Sequence, residues 1–165
     1  MSKINWAKMI KPYQKPNRLK SYWQIINSFT LFIGFWLLAY QAYQISIWLT
    51  IPVALAAQLV FLRIFIILHD CGHGSFFRKK KERDFWGTIC GIVTFTPYHQ
   101  WASEHADHHK QSGDLDKRGR GDVWTLTLKE YQDASYAKRV FYKLYRFPAF
   151  MLTIGTLYNF VIMHR

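Results

Sequence analysis

Charged residues are absent from one long stretch of the sequence. No Asp, Glu, Lys or Arg occurs across residues 21–62, which are 42 consecutive positions. As a helix this stretch would be roughly 63 Å long, enough for two crossings of a ~30 Å hydrocarbon layer. A soluble domain of this size rarely has such a run in its core. The sequence therefore excludes a simple nucleic-acid-binding module, and no nucleic-acid partner is expected, despite a net charge of +12.

Cysteine is also scarce. Cys71 and Cys90 are the two cysteines of the chain and do not form a CxxC motif, which excludes a disulfide scaffold and predicts free thiols. No small-residue cleavage site follows the basic N-terminal segment, and the apolar run after it is too long for a signal peptide. We therefore expect no removable targeting peptide.

The uncharged stretch is predicted to form two membrane spans. Residues 27–43 are the expected first span and residues 47–68 the second, with a reversal within residues 41–46. A second uncharged segment, residues 147–164, predicts the start of a third span. These segments predict an all-α integral membrane protein that contains one transmembrane hairpin.

Shorter segments complete the predicted architecture. Residues 85–95 are apolar but too short to cross a bilayer, and they contain Gly87 and Gly91, so a re-entrant or interfacial segment is expected. Pro148 suits the first turn of the third predicted span. We expect a single domain over residues 1–165, with cytoplasmic or interfacial helices beside the hairpin.

The basic residues predict the orientation. Six precede the first span, none lies in residues 41–46, five lie in residues 78–83 and nine in residues 110–146. By the positive-inside rule, the N-terminus and residues 71–146 should lie in the cytoplasm. The predicted protein is therefore multi-pass.

Five of the seven histidines form two clusters, HDCGH at 69–73 and HADHH at 105–109. On a helix, residues three or four positions apart share a face, so the rings of each cluster can converge on one point. Neutral imidazole suits Fe, Zn, Cu or Ni rather than Mg or Ca. The candidate metal ligands are His69, His73, His105, His108 and His109.

The residues around these clusters leave alternatives open. His99 and His164 have no partner at ligand spacing and are expected to be structural or surface residues. Asp70 and Asp107 either orient imidazole N–H groups or are solvated carboxylates. The first cluster also approaches the zinc-protease motif HExxH, but Asp70 stands where that motif needs Glu, and the second cluster has no place in it.

The histidine clusters and their flanks resemble the membrane-bound fatty acid desaturases. The resemblance rests on HDCGHGSFF at 69–77, HADHH at 105–109, SGDLDKRG at 112–119 and GDVWTLT at 121–127. The last segment is similar to the bacterial acyl-lipid branch close to the omega-6, or delta-12, type. Two boxes in this order, after a membrane hairpin, are more specific than either box alone.

The resemblance implies an oxidoreductase of lipid metabolism. Members of this family hold two irons mainly through histidines. With O₂ and electrons from a ferredoxin- or cytochrome-type donor, they leave a cis double bond in a lipid acyl chain. The resemblance thus implies iron as the cofactor and the five box histidines as ligands. The metal site would lie on the cytoplasmic face, here of a bacterial inner membrane.

The sequence departs from the family at the third histidine box. The family has this box downstream of a further membrane hairpin, whereas residues 111–163 contain no histidine. We therefore expect the chain to be an N-terminal portion of a desaturase that would not desaturate lipids alone. The alternatives are another histidine-box hydroxylase or oxygenase, or a catalytically silent remnant.

Two polar segments have open interpretations. Residues 114–122 are either a loop with glycine-permitted turns or part of the substrate entrance or donor docking site. The basic run at 78–83 either contacts anionic headgroups or docks an acidic electron-transfer protein. The sequence does not separate these possibilities.

Overall fold

A computed structural model describes residues 9–10, 15–118, 123–155 and 158, and those residues contain helices and loops but no strand. The helices are α1 (Arg18–Ile45), α2 (Ile47–Gly72), α3 (Lys80–Val93), α4 (Tyr98–Gln111), α5 (Leu128–Asp133), α6 (Tyr136–Tyr145) and α7 (Pro148–Phe150). A π-helical turn, Met151–Gly155, follows α7. The chain divides into two compact units, Met1–His99 and Gln100–Arg165.

A single serine separates the two long helices. The backbone of Ser46 is extended, which ends α1, and its side chain accepts a hydrogen bond from the backbone N–H of Trp48 at 3.2 Å. Ser46 is thus the N-cap of α2. The reversal predicted within residues 41–46 is confined to this last position. No glycine or proline precedes it there, so α1 continues to Ile45.

The two long helices pack together through small side chains and expose large ones. Ser28, Ala39 and Ala57 are buried, and the rings of Phe32 and Phe61 lie 6.1 Å apart. Many large apolar side chains of both helices are exposed, among them Leu59 at 71%. Both helices are long and apolar enough to cross a membrane. Water does not favour such an apolar surface, so the helices indicate association with a membrane.

Polar contacts hold α3 beside the start of α1. Arg18 forms an ion pair with Glu82 at 2.7 Å, and the Tyr22 hydroxyl lies 3.2 Å from the same carboxylate. The ring of Tyr22 also packs against Phe77, with 5.2 Å between centroids. These contacts join residues about 55–64 positions apart in sequence, and they fix the loop that follows α2.

The two glycines of α3 permit a close approach of the chain that follows the helix. A Cβ atom at Gly87 would lie 2.4 Å from the Tyr98 ring, and one at Gly91 would lie 2.4 Å from the Thr96 carbonyl oxygen. Residues 85–93 of the predicted short segment 85–95 thus belong to a helix that begins earlier, at Lys80. The first turn of this helix lies within the basic run.

The second unit has its own network around α5. Arg118 donates a 2.9 Å hydrogen bond to Glu130 and a 2.8 Å bond to the Thr125 carbonyl. Thr127 and Glu130 form a capping box at the start of α5. The predicted third span at 147–164 lies partly outside the described residues, which omit 156–157 and 159–164 of it. Within them, Pro148 occupies the first position of α7, as expected.

Candidate metal centre

The first histidine pair lies at the C-terminal end of α2. His69 and His73 are one turn apart, and their Nε2 atoms are separated by 3.1 Å. Two imidazole nitrogens bound to one transition-metal ion at about 2.0–2.1 Å would also lie about 3 Å apart. The same separation suits an N–H···N hydrogen bond when no metal is bound. The spacing of the pair therefore fits a shared metal ion, and the ligand role of the two histidines stays a prediction.

The loop after α2 fixes the position of this pair. His73 caps the helix through its backbone N–H, which donates to the His69 carbonyl at 3.0 Å. Gly74 then adopts φ +74°, a conformation that side-chain-bearing residues rarely adopt. The N–H of Ser75 returns to the Asp70 carbonyl at 3.1 Å, and Arg83 donates to the Phe77 carbonyl at 3.0 Å. Backbone contacts thus hold the end of the helix.

Asp70 contacts Nδ1 of His69, the ring nitrogen that does not face His73. Its Oδ1 atom is 3.1 Å from Nδ1 of that ring. A proton on Nδ1 would donate to the carboxylate, and the lone pair of the neutral ring would then lie on Nε2, the nitrogen that faces His73. This geometry favours the orienting role for Asp70 over a solvated carboxylate.

The second histidine pair lies on α4. The Nε2 atoms of His105 and His109 are 3.0 Å apart, which again fits a shared metal ion. His108 lies on the same helix, with its ring centroid 6.1 Å from that of His105. His69 with His73 in the first unit, and His105 with His109 in the second, are thus each placed as candidate metal-binding pairs.

The surroundings of the second pair differ from those of the first. Trp101, one turn before His105, stacks on that ring with 4.4 Å between centroids and 18° between planes. Asp107 forms an exposed ion pair with Lys110 at 3.1 Å. The solvated-carboxylate interpretation therefore describes Asp107 better, and an aromatic ring restrains His105. Sequence reasoning missed Trp101, although its spacing of four residues from His105 was a usable signal.

The two cysteines are not candidate metal ligands. Cys71 and Cys90 are free and buried, which confirms the predicted thiols. Burial raises the pKa of the Cys90 thiol to about 12, so it stays protonated and is a poor metal ligand at neutral pH. His99 is exposed on α4, and His164 lies outside the described residues.

The basic run does not act as one surface. Lys80 pairs with Asp84 at 2.9 Å, and Arg83 turns inward to the carbonyls of Phe77 and Arg78. Lys79 and Lys81 are exposed. Only part of the run is therefore available for headgroups or an electron donor.

The start of the 114–122 segment is a locally held turn. Gly113 has φ +88°, and Asp114 pairs with Lys117 at 3.2 Å. The carboxylate of Asp114 also accepts from the N–H of Asp116 at 3.1 Å. This described part matches the predicted loop with a glycine-permitted turn, and residues 119–122 lie outside the described residues.

Known proteins resemble the chain over most of its length. The family model for fatty acid desaturases matches residues 45–165. A fatty acid desaturase of Bacillus subtilis is 41% identical over 159 residues, which cover 96% of this chain and 45% of that protein. An sn-1 acyl-lipid omega-3 desaturase (ferredoxin) of a Nostoc species is 32% identical, covering 76% of this chain and 34% of that protein.

A third relative belongs to the same group. An sn-1 oleoyl-lipid 12-desaturase of Anabaena variabilis is 33% identical over 103 residues, which cover 61% of this chain and 28% of that protein. The chain thus spans less than half the length of these three relatives. No solved structure matches the chain.

Proposed function

The chain belongs to the fatty acid desaturase family, and from this premise we propose that it supplies histidine ligands to an iron centre that desaturates lipid acyl chains. One observation carries the proposal. The two i,i+4 pairs, His69 with His73 and His105 with His109, have Nε2 separations of 3.1 and 3.0 Å. These separations suit two imidazoles on one metal ion.

The proposed reaction requires a redox metal. An alkyl C–H bond has no acidic proton, so general acid–base groups do not cleave it, and iron with O₂ supplies the oxidising power. The histidines of this chain would hold the metal, and the residues beside them would orient the imidazole rings. Asp70 would keep the Nδ1 proton of His69 in place, and Trp101 would restrain the ring of His105 by stacking.

The proposed ligand set contains all five box histidines. His108 joins His105 and His109 in this proposal because its ring lies on the same helix, within 6.1 Å of His105. The family resemblance implies two irons and a third histidine box. Since residues 111–163 contain no histidine, we propose that the five ligands bind iron but need further ligands to form the complete two-iron centre.

The proposed substrate and partners follow from the relatives. The Nostoc relative is named as an acyl-lipid desaturase that uses ferredoxin, and the Anabaena relative as an oleoyl-lipid desaturase. We propose for this chain a membrane-lipid acyl substrate, O₂ and a ferredoxin- or cytochrome-type donor.

The proposed topology is a transmembrane hairpin of α1 and α2 with both outer ends in the cytoplasm. The positive-inside rule supports it, because the connection at Ser46 lacks basic residues and the flanks are rich in them. A third span would begin near Pro148. Fusions to a topology reporter test this proposal. A fusion after Ser46 should report a location outside the cytoplasm, and a fusion after Gln111 should report a cytoplasmic location. The reverse pattern would overturn the topology.

Metal content tests the proposed site. The chain is purified in detergent and analysed for iron beside a His105→Ala/His109→Ala variant. His99→Ala is the matched control, since His99 lies on the same helix without ligand spacing. We expect iron in the parent and control chains and its loss from the double variant. Equal iron in all three, or none in the parent after loading with Fe(II), would refute the site.

A further inference from the structure

Helix α6 has an apolar face that the described structure leaves open. Its residues recur at helical spacing, and the face continues one residue beyond the C-cap. This apolar stripe consists of Tyr136, Val140, Leu144 and Phe147. Tyr136 is 77% exposed, and Leu144 and Phe147 are each 60% exposed. Four apolar side chains in one exposed row need an apolar environment.

A row of cations runs beside the apolar stripe. This basic stripe consists of Arg139, Lys143 and Arg146. The chain contains no Asp or Glu from Ala134 to Arg165, so no nearby carboxylate of that segment neutralises it. A second copy of the helix would face the stripe with like charges. An anionic surface complements it, because each basic residue gains attraction from the negative potential of the headgroups.

The remaining face of α6 is already occupied. Trp124 packs on Phe141, Tyr142 and Tyr145, with centroids 5.2 to 6.1 Å apart. The hydroxyl of Tyr142 also accepts a hydrogen bond from the N–H of Leu126 at 3.2 Å. These contacts fix the rotation of the helix within its unit. The apolar stripe is therefore presented outward without being needed for the packing of the unit.

A cavity of about 510 Å³ opens next to the basic stripe. Its lining includes Tyr131, Lys143, Arg146 and Phe147, which combine apolar walls with two cations. Such a lining suits the glycerol and phosphate region of an anionic lipid, with the phosphate beside the cations.

We propose that α6 lies in the plane of an anionic bilayer surface, with the apolar stripe among the acyl chains and the basic stripe on lipid phosphates. An exposed apolar row flanked by cations is the pattern of interfacial helices. The second unit, which contains the second histidine box, would thus have its own attachment to the lipid through α6.

Nitroxide labels test the depth and rotation of α6 in the full chain. The chain is reconstituted in phosphatidylcholine vesicles with and without phosphatidylglycerol. Labels are placed through Val140→Cys and Leu144→Cys on the apolar stripe. Lys138→Cys is the matched control, about 160° around the helix from Val140. These side chains are not needed for the described packing, and labelling of the parent chain measures the background from its buried cysteines.

We expect labels on the two faces of α6 to show opposite accessibility to O₂ and to a water-soluble reagent. Labels at 140 and 144 should be accessible to O₂ and shielded from a water-soluble nickel reagent, whereas the label at 138 should show the reverse. Replacing the basic stripe by Arg139→Gln/Lys143→Gln/Arg146→Gln should abolish the extra shielding that phosphatidylglycerol provides. If labels at 140 and 144 are open to the nickel reagent, the helix lies in water. If they are closed to both reagents, protein covers the stripe. Either result overturns the proposal.

Discussion

The two histidine pairs achieve the same nitrogen spacing by different means. His69 and His73 are held by a carboxylate and by backbone bonds of the loop after α2, whereas His105 is held by the stacked ring of Trp101. The i,i+4 spacing places the two rings of each pair on one helical face, where their Nε2 atoms lie 3.1 and 3.0 Å apart. The surroundings set the ring orientation and the proton position, and these differ between the pairs.

The largest expected effect comes from removing one ring of either pair. His73→Ala and His109→Ala should each reduce iron affinity by more than about 10- to 100-fold, the loss typical when a residue that hydrogen-bonds to a ligand is changed, because each variant removes a proposed ligand itself. Iron titration of the purified variants measures this. If only one variant retained iron, the histidine pair left intact in that variant would form the metal site alone.

The next largest expected effect is a difference in iron affinity between variants of Asp70 and Asp107. Asp70→Asn should lower iron affinity by about 10- to 100-fold, because the amide no longer stabilises the Nδ1 proton of His69 as a carboxylate does. Asp107→Asn should leave affinity nearly unchanged, since an exposed pair such as Asp107 with Lys110 contributes about 0–1 kcal/mol. Equal losses in the two variants would remove the distinction between the boxes.

A smaller effect is expected at Trp101. Trp101→Leu removes the ring stacked on His105, and a lost aromatic pair is worth about 0.5–1.5 kcal/mol, or about 2- to 10-fold in iron affinity. Trp101→Phe keeps an aromatic ring and should restore most of the loss. Loss in both variants alike would show that the indole acts through its bulk or its other contacts.

The smallest expected effect is a pH dependence of the second unit, at the carboxylate of Glu130. Hydrogen bonds from Arg118 and Thr127 lower the pKa of Glu130 to about 2 from an ordinary value of 4.5. A depressed carboxyl pKa stabilises the fold above the ordinary value, and this stabilisation is lost as the pH falls from about 4.5 through about 2. The Thr127 amide, which donates to Glu130 at 2.7 Å, should show an NMR titration midpoint near 2.

A titration midpoint near 4.5 would contradict the contact between Arg118 and Glu130. Glu130→Gln is the control, since it keeps the shape of the side chain without the charge. Its Thr127 amide should show no midpoint in this range.

Local patterns in the sequence predicted the local structure. The uncharged run at 21–62 predicted two apolar helices, and the spacing of His69 with His73 predicted rings on one helical face. Ser46 ends α1 because its side chain caps α2, but the sequence indicated only the region 41–46 for this break. The other residues there are compatible with helix, so the pattern could not place the end of α1.

Long-range contacts were not predictable in the same way. Arg18 meets Glu82 across 64 positions, and nothing in the spacing of charges identifies that partner. The close approach of Tyr98 to Gly87 likewise depends on the path of the chain between α3 and α4. The glycine was visible in the sequence, but the ring that requires it was not.

The most direct test of the central claim is residue-resolved NMR of the ¹⁵N-histidine-labelled chain during addition of Fe(II). The imidazole signals of His69, His73, His105 and His109 should broaden together at the lowest iron concentration, while that of His99 on the same helix stays sharp. Broadening of His99 alongside the others would indicate unspecific binding. Persistence of sharp signals from either pair would contradict the claim that both pairs are metal ligands.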